Sequence, residues 1–166
     1  MKVEEVMTRD AITCTPDTKL AQAARLMWEG DCGILPVVTD GGRVVGLITD
    51  RDLCMASFTN AEHVTEIPVN RVITGEVYSC QPEADLREAL KVMQEHRVRR
   101  LPVVNDDGKL QGLLSMNDLA LEAKEGRGGE AGISYADVVT TMKAICAHRD
   151  LPQVEAQGLQ QKAATH

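Results

Sequence analysis

The sequence predicts a mixed α/β (α+β) fold: two βαββα repeats packed about a pseudo-twofold axis, followed by an extra C-terminal helix. The repeat is the first observation. Ile34-Leu35-Pro36-Val37-Val38 returns 66 residues later as Arg100-Leu101-Pro102-Val103-Val104. Carrying that offset from 12–53 onto 78–119 aligns 42 positions without a gap, of which 16 are identical, among them Pro16/Pro82, Leu20/Leu86, Met27/Met93, Gly46/Gly112 and Asp52/Asp118. The lead-ins match too, Val3-x-x-Val6-Met7 against Val69-x-x-Val72-Ile73. The second observation is size. One unit of about 50–60 residues buries too little surface to be comfortably stable alone, so the two copies should pack on each other. The third is the order of periodicities within each copy.

Each copy opens with an extended stretch that ends at a proline, 12–15 before Pro16 and 77–81 before Pro82, because a residue preceding proline is biased to β or polyproline geometry. A helix follows. In the second copy Leu86, Ala89, Leu90 and Met93 fall at i, i+3, i+4 and i+7, and Asp85 with Glu88 forms a capping-box pattern; in the first the stripe is Leu20, Ala23, Ala24 and Met27. Two strands come next, 35–38 and 44–48, then 101–104 and 110–114. They are joined by the turns Thr39-Asp40-Gly41-Gly42-Arg43 and Asn105-Asp106-Asp107-Gly108-Lys109, a hairpin signal. A second helix starts at Thr49 and at Ser115. The helical connection makes the first two strands parallel with a right-handed crossover, and the hairpin pair antiparallel. The resulting organisation is repeat one over 1–58, a linker over 59–68 and repeat two over 69–124. A glycine-rich flexible linker follows over 125–133, then a helix over 134–148 and a tail over 149–166 expected to be disordered. Ser134-x-x-Asp137 caps the last helix, and Tyr135, Val138, Val139, Met142 and Cys146 are its apolar stripe.

Composition narrows the function. Hydrophobic residues make up 43%, charged residues 26% and aromatics 2%, so the core is aliphatic. A net charge of −7 argues against general nucleic-acid binding, as does the lack of rings for bases to stack on. There is no signal sequence and no run of about 20 apolar residues, so no membrane span is expected. The five cysteines, Cys14, Cys32, Cys54, Cys80 and Cys146, include no C-x-x-C pair. They fit neither a disulfide framework nor a zinc site and suit a reducing, cytoplasmic location. His63, His96 and His148 lack partners at triad or metal spacing, and neither a P-loop nor a Rossmann fingerprint occurs, so no enzyme activity is expected.

The LPVV strands, the DGG and DDG turns, and the segments Gly46-Leu47-Ile48-Thr49-Asp50-Arg51-Asp52 and Gly112-Leu113-Leu114-Ser115-Met116-Asn117-Asp118 resemble the CBS domain family, named after cystathionine β-synthase. The resemblance covers roughly residues 3–122, and both segments fit the family pattern G-h-h-[ST]-x-x-[DN]. It implies a flat module with two clefts for adenosine-containing ligands: AMP, ADP or ATP in the first place, with S-adenosylmethionine or NAD as further candidates. It also implies a disc-shaped homodimer of two modules and a role in sensing metabolite state for an effector. These 166 residues are not expected to hold an effector domain, so the output is expected to act on a separate protein. The competing reading is a structural dimerisation module whose clefts stay empty.

Under the resemblance Asp52 and Asp118 grip ribose, since one carboxylate accepts from two adjacent hydroxyls. Thr49 and Ser115, at helix starts, meet phosphate. The same spacing is also a plain capping box, and the two readings stand side by side. The resemblance places the base slot at Ala11, Ile12, Ile34, Leu35 and Pro36 in one copy and at Val77, Tyr78, Arg100, Leu101 and Pro102 in the other, with core packing as the alternative for all of them and the favoured reading for Leu35 and Leu101. His96-Arg97-Val98-Arg99-Arg100 is basic where the first copy has Gly30-Asp31-Cys32-Gly33-Ile34, whereas Arg51 stands opposite Asn117. The two sites should therefore differ in charge preference. Guanidinium groups suit phosphate; of Arg99 and Arg100, strand alternation lets only one point inward, and Arg100 is the expected one.

Overall fold

A computed structural model describes residues 1–73, 76–125 and 132–147. Residues 126–131 of the predicted 125–133 linker, the last residue of the predicted 134–148 helix and the 149–166 tail lie outside the described residues. The elements are α1 (Leu20–Glu29), β1 (Ile34–Val38), β2 (Val44–Thr49), α2 (Asp50–Thr59), α3 (Leu86–His96), β3 (Arg100–Val104), β4 (Leu110–Ser115), α4 (Met116–Glu122) and α5 (Tyr135–Cys146), with 3₁₀ turns at Val3–Glu5 and Val69–Arg71. β1 pairs antiparallel with β2, and β3 with β4, in the same register: Ile34 faces Thr49 and Arg100 faces Ser115. Gly42 (φ 78°) and Gly108 (φ 74°) occupy the left-handed position that each hairpin turn requires.

The opening strand of each repeat is parallel to the hairpin as predicted, but it shrinks to one bridge, Cys14 to Val37 and Cys80 to Val103. Cys14 N–H donates to the Pro36 carbonyl (3.1 Å) and its own carbonyl accepts from Val38 N–H (2.8 Å). The next rung on one side needs an N–H from Pro36, and on the other side one from Pro16. Proline has none, so the ladder stops in both directions. Pro82 and Pro102 stop it identically in repeat two.

The stripes of α1 and α3 turn inward as expected. Leu86, Ala89, Leu90 and Met93 are all buried, whereas Ala24, which aligns with Leu90, is exposed. Two aliphatic cores result, one per repeat. The lead-ins, however, are exchanged. Val3 and Met7 belong to the core of repeat two, and Val69, Val72 and Ile73 to that of repeat one. Val3 N–H bonds the Ala84 carbonyl (2.9 Å) and Val69 N–H the Thr18 carbonyl (2.8 Å). The motif glycines permit this crossing. A Cβ on Gly46 would lie 2.6 Å from the Ile73 side chain, and one on Gly112 would lie 2.7 Å from the Thr8 carbonyl and 2.8 Å from Met7 Sδ. The linker between repeats is irregular only after α2 ends at Thr59, and it is anchored by the fully buried Ile67.

α5 starts at the predicted Ser134–Asp137 capping box, but it presents a different face from the one expected. Val138 and Thr141 are buried and Ile145 packs on the repeat-two core, while Tyr135, Val139, Met142 and Cys146 are exposed. This face packs with α3, where Gln94 donates to Thr141 Oγ1 (2.7 Å) beside the apolar contacts of Val138 and Ile145. Among the described residues no helix is long and apolar enough to cross a membrane.

Candidate functional site

Two clefts of about 370 and 390 Å³ lie on either side of the pseudo-twofold axis, within the size range of small-molecule sites. Each is built from both repeats. The first joins Ala11, Ile12 and Ile34 of repeat one to Ser115, Asn117 and Asp118 of repeat two. The second joins Arg97, Arg99 and Arg100 of repeat two to Thr49, Arg51 and Asp52 of repeat one. The base-slot residues of one copy therefore face the motif of the other. Among the described residues Pro36, Pro102, Val77 and Tyr78 fall outside both linings. Both prolines are buried within their strands, and Tyr78 instead stacks on His96, with ring centroids 3.7 Å apart and planes 16° from parallel.

The two motifs have the same internal geometry. Asp52 Oδ2 accepts from the Thr49 hydroxyl (2.7 Å) and Thr49 N–H (2.9 Å), while Asp52 N–H donates to Thr49 Oγ1 (3.3 Å). In the other copy Asp118 Oδ2 takes the Ser115 hydroxyl (2.7 Å) and N–H (2.8 Å), and Asp118 N–H returns to Ser115 Oγ (3.3 Å). The capping box is thus complete in both. It uses one oxygen of each half-buried carboxylate and leaves Oδ1 without a hydrogen bond among the described residues. It also commits each hydroxyl proton to the carboxylate, so a phosphate cannot take that proton without opening the box.

The clefts differ in charge. The first carries Asp10, Asp31 and Asp118 against Arg100 alone, an acidic cleft. The second carries Arg51, Arg97, Arg99 and Arg100 against Asp50, Asp52 and Glu76, an arginine cleft. None of these four guanidinium groups has an ion pair or hydrogen bond among the described residues. Burial, and then the neighbouring Arg99, push the Arg100 guanidinium below its ordinary pKa, while Asp50, Cys32 and Asp118 pull the other way. Arg97 caps α3 in the left-handed region (φ 54°), and its aligned residue Asp31, one residue past the Gly30 cap of α1, is left-handed too (φ 47°). Arg99 is exposed and Arg100 half-buried.

Several lining residues were not singled out in the sequence. Asp10 and Glu76 occupy aligned positions, one in each cleft, and the repeat alignment carried that signal. Ile145 reaches the arginine cleft from α5, and nothing in the sequence marks it. All five cysteines are free, and burial raises the thiols of Cys14 and Cys80 to about 11. No group of His, Cys, Asp and Glu suited to hold a metal ion occurs among the described residues.

The family model for the CBS domain matches residues 3–58 and 65–125, covering both repeats. The chain belongs to the CBS domain family. The CBS domain-containing protein YhcV of Bacillus subtilis is 34% identical over 119 residues, spanning 72% of this chain and 83% of that one. An inosine-5′-monophosphate dehydrogenase of Methanocaldococcus jannaschii is 33% identical over 123 residues, but the match spans 74% of this chain and only 24% of the enzyme. Among solved structures, CBSX2 in complex with AMP superposes with a TM-score of 0.60 at 28% identity, over 70% of this chain and 91% of that one. The chain is therefore a CBS pair, with the mixed α+β fold of its structural neighbours.

Proposed function

We propose that this CBS pair is a cytoplasmic, non-catalytic sensor of adenosine-containing nucleotides. In this reading it binds AMP, ADP or ATP in its clefts and signals to a separate effector protein as a homodimer. The observation that carries this reading is the arrangement of the clefts, each facing a ribose-type carboxylate of one repeat with the base slot of the other. The AMP complex of CBSX2, a 28% identical relative, supports the ligand class. In this assignment Asp52 and Asp118 take ribose hydroxyls through the unengaged Oδ1. Ile12 and Ile34 flank a base in the acidic cleft, and Arg51, Arg97, Arg99 and Arg100 hold phosphates in the arginine cleft. The homodimer rests on large apolar side chains left exposed in repeat one, Trp28 on α1 and Met55 and Phe58 on α2. Calorimetric titration with adenosine, AMP, ADP, ATP, S-adenosylmethionine and NAD tests the reading, with incubation and chromatography to detect turnover. Saturable binding of at least one adenine nucleotide without turnover is expected; the absence of binding by all six would overturn it.

One observation favours a second reading. Both motif aspartates already satisfy their own helix caps without a ligand, which is all that a structural dimerisation module requires. That reading predicts no binding and an unchanged dimer after both aspartates are replaced.

A further inference from the structure

Ile34 and Arg100 are aligned positions, the first residues of β1 and β3, and each lines both clefts. They form the seam between the clefts at the pseudo-twofold axis. On one side the seam is a buried isoleucine, which serves both clefts alike. On the other it is a half-buried guanidinium with no ion pair or hydrogen bond among the described residues. Asp118 of the acidic cleft and Asp50 of the arginine cleft both act on its charge, so it sits within electrostatic reach of both. The two clefts can share an apolar wall, but they cannot share one phosphate-binding cation.

We propose that Arg100 makes the two clefts antagonistic toward phosphate-bearing ligands, so that a phosphate bound in one cleft withdraws the guanidinium from the other. The inference rests on the reading of both clefts as adenosine-nucleotide sites and concerns how those sites regulate each other. The consequences are unequal. The arginine cleft keeps Arg51, Arg97 and Arg99 when Arg100 turns away. The acidic cleft keeps no cation among its described lining residues and retains Asp10, Asp31 and Asp118. With a phosphorylated nucleotide in the arginine cleft, the acidic cleft should discriminate against phosphate and accept an uncharged adenosine. The doubly occupied protein would then read two ligands that differ in phosphorylation. Coupling of this kind is reciprocal, each site weakening the other by the same factor.

The test is a binding cycle by titration calorimetry with AMP and with adenosine. Asp52→Ala weakens the arginine cleft and so reports the acidic cleft alone; Asp118→Ala reports the arginine cleft alone. For AMP the second stepwise constant of the parent protein should be about ten- to a hundredfold weaker than the weaker isolated cleft, the loss of one charge-assisted hydrogen bond. Adenosine should show no such deficit. Arg100→Ile, which makes the seam symmetric, should abolish the deficit. Arg100→Gln, which keeps a polar side chain if the isoleucine variant proves unstable, should do the same. AMP constants in the parent that equal those of the isolated clefts would overturn the coupling while leaving nucleotide binding intact, as would an unchanged deficit in the Arg100 variants. Absence of AMP and adenosine binding in the parent would overturn the functional reading and the coupling with it.

Discussion

Replacing Asp52 by alanine separates the two roles that its carboxylate combines. In the ligand-free protein Oδ2 holds the Thr49 hydroxyl at 2.7 Å and Thr49 N–H at 2.9 Å, and the Asp52 amide returns to Thr49 Oγ1 at 3.3 Å. Losing such a cap costs about 0.5–2 kcal/mol. For a chain of this size that lowers Tm by about 1–8 °C. Thr49→Ala breaks the same box from the other side and should cost a similar amount. Binding distinguishes the two variants. Asp52→Ala removes the free Oδ1 along with the cap, and a charge-assisted hydrogen bond to ribose is worth about 1.5–3 kcal/mol, or roughly ten- to a hundredfold in affinity. Thr49→Ala keeps both carboxylate oxygens and should retain AMP affinity within about threefold, less than a neutral hydrogen bond is worth. Thermal denaturation without ligand and calorimetric titration with AMP, run on both variants, read the two effects separately. If Asp52→Ala loses Tm like Thr49→Ala and binds AMP like the parent, the carboxylate is a helix cap and nothing more.

Arg97→Gly should raise stability by about 0.5–1 kcal/mol, because glycine accepts the left-handed conformation at φ 54° without a Cβ penalty; it should also weaken ATP more than AMP, an effect that shrinks with salt. Thr141→Val strands the Gln94 amide donor and deletes the bond to the Asp137 carbonyl, so about 1–3 kcal/mol of stability should be lost, with earlier proteolysis of α5. The Ser134 backbone and hydroxyl hold the Asp137 carboxyl below its ordinary pKa. Its contribution is complete above the unfolded-state value of about 3.9 and is lost as pH falls through the lower folded value; an acid titration of α5 helicity should thus be steeper in the parent than in Asp137→Asn. Trp28→Glu combined with Phe58→Glu places charge on the exposed face of α1 and α2; sedimentation equilibrium should show a dimer for the parent and a monomer for this variant at micromolar concentration.

The amino-acid sequence alone determined the units of this protein, because each unit rests on local rules. The hairpins follow from β-branched runs around Asp-Gly turns, and the four capped helices at Thr49, Asp85, Ser115 and Ser134 from side chains that reach only three residues along the chain. The repeat offset linked the two copies and marked the basic run over 96–100, with Arg100 against Ile34, as a difference between them. Tertiary structure decided everything that depends on which surfaces meet. The opening strands were cut to single bridges because Pro16, Pro36, Pro82 and Pro102 withhold N–H groups that only pairing requires. α5 was laid with Val138, Thr141 and Ile145 toward the repeat-two core, where Gln94 bonds Thr141, and not with the wider apolar stripe that periodicity favoured. Above all, the lead-ins crossed over Gly46 and Gly112 to the opposite repeat, and each cleft was assembled from the slot of one copy and the motif of the other. Internal symmetry states that two copies have equivalent surfaces; whether a surface meets its own copy or its mate is settled only by packing, since both arrangements satisfy the same local sequence.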